Sequence, residues 1–271
     1  MPYALVQQPD ASHRLFYLDM FTENTTRPPV IFLHGFTLDH RMWVANAHFF
    51  RDYYRVLLLD AKGHGLSDSP GTGYSRADRV EDLRAYMDAL RLDKAHVVGL
   101  SMGGSTAIGL ALDHQDRLAS LTLVDTGAAG FSAGVKIERI DRLVREKGLE
   151  AARRKWMDGA LVWYKKDKEH IRALMHTMIT EHSGAVWLDP QRGRYPREND
   201  LERVHEIKVP TMIFVGELDR IFLPLAEKLH ERISGSRLSI FEGVGHMLNL
   251  EAPEKFNREL KVFLEGAAGS E

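Results

Sequence analysis

The amino-acid sequence predicts an α/β fold: a mostly parallel central sheet of about eight strands flanked by helices, with a helical block inserted late in the chain. Three observations predict it. Short apolar runs bounded by Gly, Pro or Asp recur along the chain, and stretches at helical spacing separate them. Between residues 128 and 205 the strand signals stop and amphipathic helix alone remains. Runs that are apolar on both faces suit strands covered by helices on both sides, the arrangement that alternating strands and helices build.

In chain order, His13 to Phe21 alternates enough to read as a strand, and after the Arg27-Pro28-Pro29 break Val30 to Leu33 reads as a buried one. Arg55 to Leu59 repeats the pattern, followed by His96 to Val98, Leu121 to Val124, Met212 to Val215 and Leu238 to Phe241. Helices are predicted over Asp78 to Leu92, Met102 to His114, Pro224 to Ile233 and Pro253 to Leu264. The two that start at proline place it in the first turn, where no amide donor is needed. In the inserted block the first helix carries Val135, Ile137, Ile140, Leu143 and Val144, and the second Leu149, Ala152, Trp156, Ala160 and Trp163. A third carries Ile171, Leu174, Met175, Met178 and Ile179 and ends near Gly184, before an Arg-rich connection. The expected division is a core of residues 1–127 and 206–271 with a cap, or lid, over 128–205.

Composition narrows the chemistry. In 271 residues, 36 Lys and Arg balance 38 Asp and Glu for a net charge of −2, which gives no electrostatic footprint for nucleic acid or an anionic membrane. A small-molecule substrate is the expected partner. With no cysteine, disulfides, thiolate catalysis and cysteine zinc sites are excluded, so Ser, His and carboxylates must carry any covalent chemistry. Nothing signals a metal or organic cofactor. No apolar run approaches the ~18 residues of a membrane helix, and Met1 to Asp19 shows no basic region followed by a long apolar one, so a cytoplasmic location is expected.

Gly99-Leu100-Ser101-Met102-Gly103 is a G-x-S-x-G between an apolar run and a helix-forming stretch. A serine on such a sharp turn is held in a strained conformation that needs small neighbours two residues away on each side. The turn also sets the Met102 amide at a helix N-terminus, where developing negative charge is favoured. Serine needs a base within hydrogen-bond reach. Of 13 histidines, His246 in Gly243-Val244-Gly245-His246 follows the final strand and would emerge at the same sheet edge as Ser101, whereas His114, His170, His176 and His230 fall in helical stretches. The orienting acid is sought at a strand end between serine and histidine. Asp219, in Gly216-Glu217-Leu218-Asp219, is favoured over Asp125, which reads as a structural anchor of the cap hinge, and over Glu217.

Taken together, His34-Gly35-Phe36, Gly63-His64-Gly65-Leu66-Ser67-Asp68, Gly99-Leu100-Ser101-Met102-Gly103-Gly104, Gly216-Glu217-Leu218-Asp219 and Gly245-His246 resemble the α/β-hydrolase superfamily over essentially the whole chain. The resemblance implies an α/β-hydrolase fold, a Ser101–His246–Asp219 triad, and an oxyanion hole of the Phe36 and Met102 amides. It also implies organising roles for His34 and Asp60, and a structural one for the His64 loop. Within the superfamily the chain is most similar to carboxylesterases and to 3-oxoadipate enol-lactonase-like enzymes. Dehalogenases and epoxide hydrolases carry Asp where Ser101 stands. Hydrolases of carbon–carbon bonds in ring-fission products often carry Trp after the histidine, where this chain has Met247. The expected activity is hydrolysis of a small carboxylic ester, with an enol-lactone or carbon–carbon bond as alternative substrates and a small-molecule receptor as the alternative of another class. Trp156, Trp163 and Met247 are candidate pocket residues, although apolar cap residues equally serve to pack the cap on the sheet.

Overall fold

The computed structural model describes residues 3–8, 11–20, 26–131, 137–159, 168–191 and 198–267. Eight strands form one sheet in the order β1-β2-β4-β3-β5-β6-β7-β8. They are β1 (Tyr3–Gln8), β2 (Ala11–Met20), β3 (Val30–Leu33), β4 (Val56–Leu59), β5 (Ala95–Leu100), β6 (Leu118–Val124), β7 (Thr211–Gly216) and β8 (Arg237–Phe241). β1 pairs antiparallel with β2, and β2 antiparallel with β4; all other neighbours are parallel.

The sheet is buried on both faces because its strands alternate between two cores. On one face Ile31, Leu33, Leu57, Leu59, Ala95 and Val97 pack with α2 (Arg76–Ala89), α3 (Met102–Asp113) and α9 (Leu223–Arg232). On the other, Val30, Phe32, Val56, Leu58, Val98 and Leu100 pack with α1 (Val44–Phe50) and α11 (Pro253–Ala267). This is why the central strands β3 to β7 read as apolar runs rather than alternating ones. Some elements of the core escape the sequence reading, among them β1 and α1. In β1, Ala4 and Val6 are buried while Leu5 is 56% exposed, so apolar residues on both faces blur the period. α1 is a short helix whose Ala47 and Phe50 are buried under the sheet.

Between β6 and β7 come α4 (Ile137–Lys147), α5 (Leu149–Met157), α6 (Glu169–Glu181), α7 (Ala185–Leu188) and α8 (Asp200–Arg203). The second expected helix stops at Met157; Ala160 and Trp163, like Val135, lie outside the described residues. The block does not bury its apolar residues by itself. Ile140, Val144, Ala152 and Trp187 form a small cluster against Phe36 of the core, whereas Ile171, Met175, Met178 and Ile179 of α6 join the main core on the α1–α11 face. Among the described residues no helix is long and apolar enough to cross a membrane.

Parallel register aligns the carboxyl ends of the central strands: Leu33 opposes Gly99, Leu100 opposes Val124, and Val124 opposes Phe214. From β3 the chain runs to β4 on one side and then to β5 on the other, so the crossovers diverge between β3 and β5. A crevice forms outside the strand ends at such a point, and in open α/β sheets ligands bind there.

Candidate active site

Ser101 sits between β5 and α3 with φ 53° and ψ −108°, in the left-handed half of backbone space that a residue with a side chain seldom enters. The surrounding chain holds it there. Its amide donates to the Val124 carbonyl (3.0 Å), and its carbonyl accepts from Gly127 (3.1 Å) and Ser105 (3.0 Å). The flanking glycines are required by space: a β-carbon on Gly99 would stand 2.4 Å from the Gly103 carbonyl oxygen, and one on Gly103 2.4 Å from that of Leu33. α3 thereby approaches β3 and β5 closely enough to aim its N-terminus at the crevice. Met102 opens that helix, among the first-turn amides that have no acceptor within it.

His246 lies on the loop between β8 and α10 (Leu248–Glu251). Its Nδ1 is 2.6 Å from Asp219 Oδ2, and both residues are buried. Asp219 follows β7, and its other oxygen accepts from the Phe222 amide at 3.2 Å. The Phe222 ring stacks on the imidazole at 5.0 Å between centroids, fixing the ring plane. A carboxylate on Nδ1 selects the tautomer that keeps the proton there and leaves Nε2 as an acceptor.

The other acids resolve differently. Glu217 faces away and accepts from the Gly243 amide (2.8 Å). Asp125, read from sequence as an anchor of the cap hinge, instead ties two strand ends together: its Oδ1 accepts from the Gly216 amide at 2.8 Å, and its own amide donates to Phe214. Burial, and then the charge of Asp219, hold its carboxyl well above the usual range.

A contact that the sequence reading missed supports the histidine loop. Glu251 Oε1 accepts from the amides on either side of His246, Gly245 (3.1 Å) and Met247 (3.3 Å). Nothing in the sequence marks it, because a glutamate in a short helix is ordinarily a solvated one. Glu251→Ala would leave those amides without their carboxylate acceptor. We expect it to lower unfolding stability by about 2–3 kcal/mol in urea denaturation, and an unchanged midpoint would show that the clamp is dispensable.

The loop after β3 forms the opposite wall. His34 Nδ1 donates to the Gly35 carbonyl (2.8 Å), and its Nε2 accepts from the Ala61 amide (3.0 Å), so the ring joins this loop to the one after β4. Asp60 accepts from the His40 amide (2.7 Å) and the Leu66 amide (2.9 Å), staying inside the protein. The Phe36 ring is held edge-on by Trp156 and Trp187, at 5.4 and 5.8 Å. Trp156 Nε1 donates to the Thr37 hydroxyl at 2.8 Å, which ties α5 to the same loop. His64 is buried between His34 and His182, and burial keeps it well below its usual pKa and therefore neutral.

These loops enclose a cavity of about 430 Å³ that Phe36, Ser101, Met102, His246, Met247 and Trp156 all line. Its size suits a small molecule. Met175, one of the methionines of the inserted block, lines it too, and Tyr74, Arg79 and Ile179, not anticipated from sequence, complete much of the wall. Ser75 caps α2 there by a reciprocal pair of hydrogen bonds with Asp78, which positions Arg76 and Arg79 along the cavity. Two clusters unite carboxylates with histidine as a metal site would. Among the described residues, Asp39 is bound by Arg41 and Asp60 by His40 in one, and Asp219 by His246 in the other, which also holds Asp125.

The sequence model of the alpha/beta hydrolase family matches residues 30–259. The chain is 30% identical over 261 residues to 2-hydroxy-6-oxononadienedioate/2-hydroxy-6-oxononatrienedioate hydrolase of Klebsiella pneumoniae, covering 88% of this chain and 87% of that protein. It is 27% identical over 248 residues to 3-oxoadipate enol-lactonase 1 of Acinetobacter baylyi, covering 88% and 89%. Among solved structures, a thermophilic esterase from Thermogutta terrifontis superposes with a TM-score of 0.85 at 26% identity, over 98% of each chain. The eight-stranded sheet, the serine turn at its carboxyl edge and a family match spanning most of the sequence agree: the chain belongs to the alpha/beta hydrolase family.

Proposed function

We propose that this protein is a serine hydrolase that cleaves carboxylic esters of small molecules through an acyl-enzyme intermediate. The observation that carries the reading is the convergence of Ser101 and His246 on one cavity, with Asp219 holding the far side of the imidazole. With the Nδ1 proton committed to Asp219, Nε2 takes the proton of Ser101 as its hydroxyl attacks the ester carbonyl. The amides of Phe36 and Met102 stabilise the tetrahedral oxyanion, each such donor being worth about 3 kcal/mol. His246 returns the proton to the departing alcohol, and water then releases the acid by the same route.

The esterase and the enol-lactonase among its relatives support this chemistry, since a lactone is a cyclic ester. The Klebsiella relative, named for ring-fission products, favours carbon–carbon cleavage as a second reading, against which Met247 stands beside the histidine. Helices α4–α8, as a cap, would shape the acyl and alcohol sites. The test is turnover of p-nitrophenyl esters of increasing acyl length, with 3-oxoadipate enol-lactone and a ring-fission diketone as competitors. We expect short esters to turn over at about 1 s⁻¹ or faster. A strong preference for the diketone replaces the ester reading, and slow turnover with tight binding of a small ligand replaces it with a receptor.

A further inference from the structure

We propose that Asp125 is a reserve positioning residue for His246, able to accept the hydrogen bond from Nδ1–H in place of Asp219. The inference rests on the serine-hydrolase reading and adds a second carboxyl group to it. β6 and β7 are paired neighbours, so the residues following them emerge side by side. One oxygen of Asp125, one of Asp219 and a ring nitrogen of His246 all lie within 4.8 Å of one another. Asp125 is fully buried; Oδ1 accepts from Gly216, and Oδ2 makes no hydrogen bond among the described residues. A tie between strand ends needs only the first oxygen. The carboxyl also lies by the Leu248 amide, and one of its oxygens stands within 4.8 Å of a ring nitrogen of His246.

The groups facing Asp125 explain why it is held back in the native protein. Asp219 and His246 face it from the loops after β7 and β8, Glu251 faces it from α10, and the Gly216 and Leu248 amides favour its charged form. Two adjacent buried carboxyls carry one negative charge more readily than two. Of the two, Asp219 has the imidazole and the Phe222 amide as donors. When residue 219 is made neutral, the repulsion from its charge disappears and the imidazole loses its carboxylate. Asp125 then releases its proton to solvent, and a side-chain movement of about 2 Å brings it to hydrogen-bond distance of the ring.

The experiment compares Asp219→Asn, Asp125→Asn and the double variant, with p-nitrophenyl acetate as substrate, over roughly pH 5 to 10. Asp219→Asn is expected to lose about 10²–10³ in kcat/KM, less than the roughly 10⁴ that follows when no second carboxylate is near. Its activity should rise with pH through an additional ionisation absent from the unsubstituted protein. Asp125→Asn, which keeps the Gly216 contact through its amide oxygen, should lose no more than about tenfold. The double variant should lose at least a further tenfold relative to Asp219→Asn and lack the added ionisation. Equal kcat/KM for Asp219→Asn and the double variant at every pH overturns the proposal. If the double variant does not fold, an Asp219→Asn profile without the added ionisation overturns it alone. Ser101→Ala is measured in parallel: retained turnover there defeats the serine-hydrolase reading, whereas failure in the aspartate arms alone defeats only the role of Asp125.

Discussion

Replacing Ser101 by alanine is expected to lower kcat for p-nitrophenyl acetate by about 10⁴- to 10⁶-fold, with His246→Ala causing a loss of similar size. In the proposed mechanism the serine supplies the atom that bonds to the acyl group, and it sits on a strained turn at the carboxyl edge of β5, on the wall of the cavity that His246 also lines. The histidine would supply the base, and among the described residues lining that wall its ring is the one held by a buried carboxylate. Because the two residues act on one proton, the double variant should be hardly worse than either single one. Ser101→Ala removes a single hydroxyl, so its urea midpoint should move little, whereas His246→Ala leaves the buried Asp219 carboxylate without its ring donor and should lower the midpoint. Near-normal turnover in either variant, or losses that multiply in the double, would require a different nucleophile.

Gly103→Ala is expected to cost the fold about 3 kcal/mol or more, enough to remove much of the soluble protein from a chain whose total stability is about 5–15 kcal/mol. The added methyl would lie 2.4 Å from the Leu33 carbonyl oxygen and 2.8 Å from that of His34. Both obstacles are backbone, in a strand and the loop leaving it, so neither yields by changing rotamer. Relief requires lifting α3 from β3, which separates the Met102 amide from the Phe36 loop across the crevice. Gly71→Ala is the control: its β-carbon meets nothing within 4 Å, and its stability should change by less than about 0.5 kcal/mol. Equal denaturation midpoints for the two variants would mean that the elbow tolerates bulk and that the close approach is not a constraint.

Much of this arrangement was legible in the sequence because its causes are local. Strands buried on both faces must be apolar throughout, and a serine at φ 53° needs small neighbours, so Val30–Leu33 and the Gly99–Gly103 turn announce themselves within a few residues. The same reasoning placed His246 on a loop at the correct edge of the sheet. β1 was not read, because its exposed Leu5 and buried Ala4 and Val6 leave no alternation to detect. The second helix of the inserted block is read as carrying Ala160 and Trp163; α5 ends at Met157, and these two residues lie outside the described ones.

What the sequence determined by itself is which residues have the chemistry and which strand ends deliver them: a serine turn, a histidine loop and two aspartates at strand ends. Tertiary structure alone decided that Asp219 meets the imidazole while Asp125 binds Gly216, that Glu251 clamps the histidine loop, and that α6 joins the main core. The physical reason is range. Backbone conformation and apolar burial are set by near neighbours along the chain, but a hydrogen bond between groups on different loops depends on strand register and packing, and these exist only once the whole sheet has assembled.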